Sequence, residues 1–208
     1  IDNEHQTGTV NVVLDGNRIP RFTMNPICCF DYMRLNDSTK ELVEHGTDLL
    51  YFGTLSSRNK IARETTQSLY GKEHLKYFCD LNLRHNFYTK ELIEETLYTC
   101  NVIKINYEEL EKLKTFFNLP QSDQQAIEQL VSNFNIDILA LTLGADGAEI
   151  FNKTESHKYK SKKIEVAYTL GAGDAYAAIL CVGYLKEMSI AEINKLANEF
   201  AAEICMVE

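Results

Sequence analysis

The chain has 208 residues, of which 45% are apolar and 25% are charged, so its composition is that of a globular protein with one large or two small domains. Its formal net charge of −9 argues against a nucleic-acid partner, because phosphate recognition needs clustered Lys and Arg. No stretch reaches the roughly eighteen apolar residues of a membrane span and residues 1–5 do not resemble a signal peptide, so we expect a soluble, cytoplasmic protein.

Residues 8–24 predict a β flap that stands apart from the rest of the chain. Residues 9–14 and 20–24 are strand-like runs on either side of an Asp-Gly turn, and no helix pattern lies between them. We therefore predict two paired strands, attached to an α/β body that occupies residues 25–208.

Short apolar runs then alternate with helix-like segments. The runs end in polar residues or glycine, which is typical of buried parallel strands. The alternation predicts an α/β fold with a mostly parallel sheet flanked by helices. The predicted strands are 49–53, 76–80, 101–105 and 136–142, and the predicted helices are 57–70, 89–99, 106–117 and 122–134.

The pattern changes after residue 143. The lysine-rich run 158–163 is short and isolated, so we interpret it as a solvated hairpin or edge strand, where lysines discourage pairing between sheet edges. The last helix is capped by Ser189, with Glu192 three residues further on. The predicted elements are two hairpin strands, 148–151 and 157–160, and two helices, 171–186 and 189–204.

Cysteines and histidines show no metal-binding pattern. The six cysteines lack C-x-x-C spacing and several lie in apolar runs, which favours buried, reduced thiols. The five histidines are scattered, without an H-E-x-x-H pair. We expect no structural transition metal.

The most informative motif is Gly171-Ala172-Gly173-Asp174, at the head of an apolar stretch. Small residues let the backbone approach a charged ligand closely, and a helix that begins here would direct free N–H groups and its positive dipole end at an anion. The motif is thus compatible with a phosphoryl-transfer site. Taken alone, four residues more readily describe a tight turn with Asp174 as a helix cap.

Polar residues also follow three earlier strands, at the sheet edge where ligands of open α/β sheets bind. Each has a structural alternative, since Asn106 can cap a helix, Glu109 can complement its dipole and Arg84 can form a surface ion pair. Their order along successive strands favours a shared site. The groups are Asp80, Asn82 and Arg84; Asn106 and Glu109; and Thr142, Gly144, Asp146 and Gly147.

The order of these motifs resembles that of the ribokinase-like (PfkB) sugar kinases, especially their fructokinase-like branch. The resemblance runs from about residue 8 to the end of the chain and says little about the sugar. The family motifs and the matching residues are D-T-x-G-A-G-D at 168–174, N-x-x-E at 106–109, D-x-N-x-R at 80–84, T-L-G-x-x-G at 142–147 and F-G-S-L-x-x-R at 52–58.

The resemblance implies an ATP-dependent sugar kinase with a Rossmann-type three-layer fold. Asp174 would be the general base that takes a proton from a sugar hydroxyl. The backbone N–H groups of Gly171, Ala172 and Gly173 would stabilise charge on the transferring phosphoryl oxygens. The residues that would line the nucleotide groove are Thr142, Gly144 and Gly147.

The resemblance also implies a metal site and a lid. Asn106 and Glu109 would hold magnesium, largely through water, since magnesium keeps its hydration shell. Arg84 would help to place the phosphates or the substrate. The strands at 8–24 would act as a lid that excludes water from the sugar. Lid strands in this family often pair between subunits, so the resemblance is also compatible with a homodimer.

Three departures from the family pattern bear on function. Family members usually begin with strands that carry a sugar-binding Asp and a G-G-x-x-x-N segment and continue beyond the last helix seen here, so we expect half of the sugar site to lie outside this chain. Tyr168 stands where the family has an Asp that commonly helps to bind a monovalent cation, which leaves that cation in doubt. Ile179 replaces a frequent glycine, with an expected effect on packing alone.

Two hypotheses therefore remain. One is a kinase that acts on a primary hydroxyl of a furanose, with fructose first and ribose or a nucleoside behind. The other is a catalytically silent relative that binds nucleotide or sugar as a regulator, for which Tyr168 argues. Retention of Asp174, Asn106 and Glu109 favours the kinase.

Overall fold

The computed structural model describes residues 3–14, 20–161, 164 and 169–206. No helix in these residues is both long and apolar enough to cross a membrane. The elements are β1 (Val10–Leu14), β2 (Pro20–Met24), α1 (Asp37–His45), β3 (Leu49–Gly53), α2 (Lys60–Gln67), β4 (Lys76–Asp80), α3 (Lys90–Thr99), β5 (Val102–Asn106), α4 (Tyr107–Phe117), α5 (Asp123–Asn133), β6 (Ile138–Thr142), β7 (Ala148–Phe151), β8 (Ser156–Tyr159), α6 (Ala172–Leu185) and α7 (Ile190–Met206).

The chain forms two compact units. The first contains the described residues up to Gly46 together with Leu55–Tyr70, and the second contains Thr47–Thr54 and the described residues from Gly71 onwards. The second unit is built on one sheet of order β3-β4-β5-β6-β7-β8. Strands β3 to β6 are parallel, and β7 and β8 are antiparallel to their neighbours. The predicted α/β fold with a mostly parallel sheet is confirmed.

One apolar core joins this sheet to α6 and α7. Gly183 allows α6 to approach α7 closely, because a β-carbon at this position would lie 2.6 Å from Ile193 Cγ1. Ile179, which replaces a frequent glycine of the family, packs against the same core, and this agrees with the expected effect of this residue on packing. The core side chains are Phe78, Val102, Ile138, Ala140, Ala148 and Ile150 from the sheet, Tyr176, Ala177 and Leu180 from α6, and Ile190, Ile193 and Ala197 from α7.

A buried amide completes this interface. The Tyr176 hydroxyl donates to Asn194 Oδ1 at 3.0 Å, and Asn194 Nδ2 donates to the carbonyl oxygens of Ala148 at 3.1 Å and His157 at 2.8 Å. These bonds tie α6, α7, β7 and β8 together without leaving the amide unsatisfied. The start of α6 is therefore held in a defined place on the sheet.

Several element boundaries differ from the sequence-based expectation. Strand β6 begins at Ile138 rather than at residue 136, because the Ile136 N–H bonds to the Val131 carbonyl and closes the end of α5. Helix α2 is shorter than 57–70, since it starts only after the Asn59 cap. Helix α1 was not predicted, although its cap is visible in the sequence: Asn36 Oδ1 accepts from the Thr39 N–H at 2.8 Å.

In the first unit, β1 and β2 pair antiparallel, with Val10 opposite Met24, as the strand pattern predicts. The predicted turn at residues 15–18 lies outside the described residues. Val10, Val12 and Val13 on β1 are exposed, which leaves an apolar strand surface. The role of these strands as a lid stays a prediction.

A buried ion pair is the main polar interaction of the first unit. Arg58 donates from Nε to Asp31 Oδ1 and from Nη2 to Asp31 Oδ2, both at 2.7 Å, and the two side chains are only 4% and 2% exposed. Burial by itself raises the pKa of Asp31, but hydrogen bonds from Arg58 and from the Cys28 N–H outweigh it. The pKa of Asp31 is therefore lower than that of an ordinary aspartate.

We expect Asp31→Asn to lower the free energy of unfolding by about 3 kcal/mol at pH 7, because it removes the carboxylate charge that compensates the buried Arg58 guanidinium. A depressed pKa means that Asp31 stabilises the fold above its unfolded pKa of 3.8 and loses this effect as the pH falls through the folded value. The difference between wild type and variant should shrink accordingly in urea unfolding below about pH 4. Glu64→Gln, which breaks an exposed pair with Lys60, is the control and should cost under about 0.5 kcal/mol. Equal losses in both variants would contradict this account.

Candidate active site

The carboxyl ends of β3, β4 and β5 carry a cluster of polar side chains. Asp80 on β4 lies opposite Lys104 on β5 in the strand register, and Lys104 Nζ donates to Asp80 Oδ2 at 2.7 Å. The Tyr51 hydroxyl on β3 donates to the same oxygen at 3.3 Å. The Lys104 and Asp80 side chains are 10% and 9% exposed. This edge of the sheet therefore holds a nearly buried ion pair.

Lys104 was missed by the sequence analysis. Its only sequence signal is a lysine inside the apolar run of β5, between Ile103 and Ile105. Strand alternation places Lys104 on the same face as Val102, and Val102 belongs to the core under α6 and α7. The lysine thus points toward α6.

The Gly-Ala-Gly-Asp motif begins α6, as predicted. Gly171 is the N-cap residue with φ +86°, a conformation that favours glycine, and no side chain caps the helix. Asp174 is therefore not the cap, and it is exposed in the first helical turn. The first N–H groups of a helix lack intrahelical acceptors. One of the three predicted anion-binding N–H groups, that of Ala172, donates to the Thr169 carbonyl at 3.3 Å.

The start of α6 lies directly over the buried ion pair. A β-carbon at Gly173 would be 3.6 Å from Lys104 Nζ and 3.9 Å from Lys104 Cε. Burial raises the pKa of Tyr51, and the negative charges of Asp80 and Asp174 raise it further. The structure therefore brings Asp174 and the helix N-terminus together with Tyr51, Asp80 and Lys104.

Asn106 and Glu109 form a capping box at the start of α4. The Glu109 N–H donates to Asn106 Oδ1 and the Asn106 N–H donates to Glu109 Oε2, each at 2.9 Å. Glu109 Oε1 also accepts from the Leu83 N–H at 2.7 Å. Burial raises the pKa of Glu109, although the two backbone hydrogen bonds oppose this shift. Glu109 thus fastens the loop after β4 to α4.

The same bonds limit how Asn106 and Glu109 could hold a metal. Every side-chain oxygen of the pair already accepts a backbone hydrogen bond. Each oxygen keeps a second lone pair that can accept from a water, which fits the water-mediated contact of magnesium better than direct ligation. Among the described residues, no group of three or more His, Cys, Asp or Glu side chains is placed to hold a metal ion.

A cleft of about 1060 Å³ opens beside this edge of the sheet. Its volume is close to the upper limit of about 1,000 Å³ that is usual for small-molecule and cofactor sites. Two of the lysines interpreted as solvated edge residues, Lys158 and Lys160, line this cleft together with the acidic Glu108 and Asp146. The lining residues are Asn106, Tyr107, Glu108, Thr142, Leu143, Gly144, Asp146, Lys158 and Lys160.

Several predicted site residues are not among those that line the cleft, namely Asp80, Asn82, Arg84, Glu109, Gly147 and residues 171–174. Arg84 is exposed at the end of the loop that Glu109 holds through Leu83. Gly147 has φ +101°, and a β-carbon there would lie 2.1 Å from the Tyr159 carbonyl oxygen. Glycine at 147 is thus required by the close approach of β8. Tyr168 lies outside the described residues.

The fold defines the architectural class, which is that of the ribokinase-like α/β proteins. A crystal structure of a fructokinase from Vibrio cholerae with fructose, ADP and calcium superimposes with a TM-score of 0.78 at 22% identity, covering 100% of this chain and 70% of that one. An uncharacterized sugar kinase from Pyrococcus horikoshii in complex with ATP superimposes with a TM-score of 0.79 at 24% identity, covering 100% and 67%. At these identities the structures show the fold alone.

The sequence comparison defines the family. Residues 1–207 match the pfkB family carbohydrate kinases, and the chain belongs to this family. The Pyrococcus horikoshii sugar kinase is 28% identical over 212 residues, which cover 97% of this chain and 63% of that protein. The chain therefore spans less than two thirds of the length of this relative.

We expect Gly147→Ala to lower the free energy of unfolding by about 3 kcal/mol or more, because the new methyl group meets the Tyr159 carbonyl and the backbone conformation disfavours a β-carbon. Gly71→Ala is the matched control: Gly71 also has a positive φ, +76°, but no heavy atom lies within 4 Å of its added β-carbon. This control should cost about 1 kcal/mol in denaturant unfolding. A loss at 147 no larger than at 71 would contradict the steric account.

Proposed function

We propose that this chain carries the nucleotide-binding and phosphoryl-transfer residues of an ATP-dependent sugar kinase. The observation that carries the proposal is the start of α6, where Gly171 takes a left-handed conformation, Asp174 is exposed in the first turn and the buried Lys104 lies beneath Gly173. An anion at this point would meet the helix dipole and a cation together, with a carboxylate beside it.

Asp174 is proposed as the general base. It would accept the proton of the sugar hydroxyl as that oxygen bonds to the γ-phosphorus of ATP and the bond to the β,γ-bridging oxygen breaks, so that ADP leaves. The N–H groups of Gly171, Ala172 and Gly173 would stabilise charge on the transferring phosphoryl group. Most of the catalysis in such a reaction is positioning and electrostatics, which a preformed helix N-terminus can supply.

The cleft beside β6 is proposed as the nucleotide site. Asn106, Thr142 and Gly144 line it, and Gly147 shapes its rim by letting β8 approach. Magnesium, when bound with ATP, neutralises phosphate charge, and Asn106 and Glu109 would hold it through water. Arg84 is proposed to help place the phosphates or the substrate.

The remaining proposals concern the whole protein. Residues 8–24 are proposed as a lid segment and residues 25–208 as the kinase core. The exposed Val10, Val12 and Val13 on β1 support pairing of lid strands in a homodimer. Fructose is the proposed sugar and the cytoplasm the proposed compartment. Activation by a monovalent cation is not proposed, because Tyr168 stands where the family has the Asp that commonly helps to bind that cation.

We expect Asp174→Asn to lower kcat by at least about 1,000-fold while the Kd for ATP stays within about threefold, because the base acts in the transition state. Asp37→Asn is the control for loss of an exposed first-turn carboxylate outside the proposed site; Asp37 lies in α1 and pairs with Lys40. Coupled kinase assays and calorimetric ATP titration measure the two quantities. Parallel losses in kcat and ATP affinity at Asp174 would rule out the base.

A sugar panel separates the kinase from a silent regulator. We expect the full-length protein to turn over ATP with fructose, with lower kcat/KM for ribose and nucleosides, and ADP release measures this turnover. ATP binding without turnover of any of these substrates would instead support the regulator. Repeating the panel once with potassium and once with an organic cation tests whether a monovalent cation raises kcat when Tyr168 replaces the family's Asp.

A further inference from the structure

Lys104 is a charged residue in a place where charges are costly. Its side chain is 10% exposed, and among the described residues its one ion-pair partner is Asp80. Removing an ammonium from water is unfavourable unless a partner compensates for it, and replacing such a pair with apolar residues is often neutral or stabilising. Stability alone therefore does not account well for a lysine here.

The position of Lys104 gives a second reason to assign it a role beyond stability. Two atoms of its side chain lie within 4 Å of the β-carbon position of Gly173, and no atom of Asp80 is that close. The ion pair is thus oriented, with its positive end toward the first turn of α6. Because Gly173 has no side chain, no group of that residue separates the ammonium from a ligand at the helix N-terminus.

Asp80 and Tyr51 define this orientation from the opposite side. Asp80 Oδ2 accepts from both Lys104 Nζ and the Tyr51 hydroxyl, so two neighbouring strands hold the carboxylate in place. An ammonium has three donors, and Asp80 occupies one of them. Within the described part of the chain Lys104 Nζ has no second acceptor, so its other two donors can serve an acceptor on the side of α6.

We propose that Lys104 is a positioning residue for phosphoryl transfer, held by Asp80 so that its positive charge reinforces the N-terminus of α6 where negative charge develops on the transferring group. The inference rests on the proposed kinase function and adds a residue outside the Gly-Ala-Gly-Asp motif. Preorganised charge of this kind acts mainly on the transition state, so it affects kcat more than nucleotide binding.

The test compares one single variant with one double variant. Lys104→Met should lower kcat by about 100-fold or more while KM for ATP changes by less than about threefold. Combining it with Asp80→Leu removes the uncompensated carboxylate and should return Tm to near the wild-type value. In the double variant we expect kcat to stay at least about 100-fold low despite the recovered Tm.

Lys114→Met is the matched control. Lys114 is also buried, with a side chain 6% exposed, and is paired with Glu111 at 2.6 Å and with Asp123, at the far end of α4. It should lower Tm and leave kcat within about twofold, because it lies away from the start of α6.

The outcomes separate this inference from the proposed function. If kcat recovers together with Tm in the double variant, Lys104 is only a structural partner of Asp80 and the inference fails. If Lys104→Met alone keeps wild-type kcat, it also fails, while the kinase assignment stands. If the wild-type protein turns over no sugar, the kinase assignment fails and the inference falls with it.

Discussion

The packing of α6 and α7 on the sheet is the constraint from which the site follows. Leu180 on α6 and Ile193 on α7 are fully buried, and Gly183 lets the two helices approach more closely than a side chain would allow. An apolar interface of this kind has little freedom to slide, because close-packed side chains have few alternative arrangements. The first turn of α6 therefore stays over the ends of β4 and β5, where Asp80 and Lys104 lie.

Polar groups at the strand ends are arranged around this fixed helix. Glu109 accepts backbone hydrogen bonds from Leu83 and Asn106, so its buried carboxylate joins the loop after β4 to the start of α4. Asp80 accepts a hydrogen bond from Lys104 Nζ and so holds the lysine side chain in place. A buried polar network in which every member has a partner restricts motion and keeps charges in defined places. Such rigidity is what electrostatic stabilisation of a developing charge requires.

Much of the fold could be predicted because its signals are local. Strands β3 and β4 coincide with their apolar runs, and the hairpin and the last two helices lie close to the predicted places. Helix α1 was missed because it is short and mostly polar, with Val43 its one buried residue, so periodicity is weak there. The start of β6 could not be predicted, since the end of α5 uses the Ile136 N–H.

The α/β class and the order of the motifs, including the glycine turn before Asp174, could be predicted from the sequence alone, because turn chemistry and apolar patterning depend on neighbouring residues. Which of these residues share a site depends on how the strands and helices pack. Lys104 meets Asp80 and Gly173 through strand register and helix packing, and Lys158 and Lys160 join Thr142 in one cleft through the β7–β8 hairpin. Contacts of this kind join residues far apart in the chain, and one sequence contains no local signal for them.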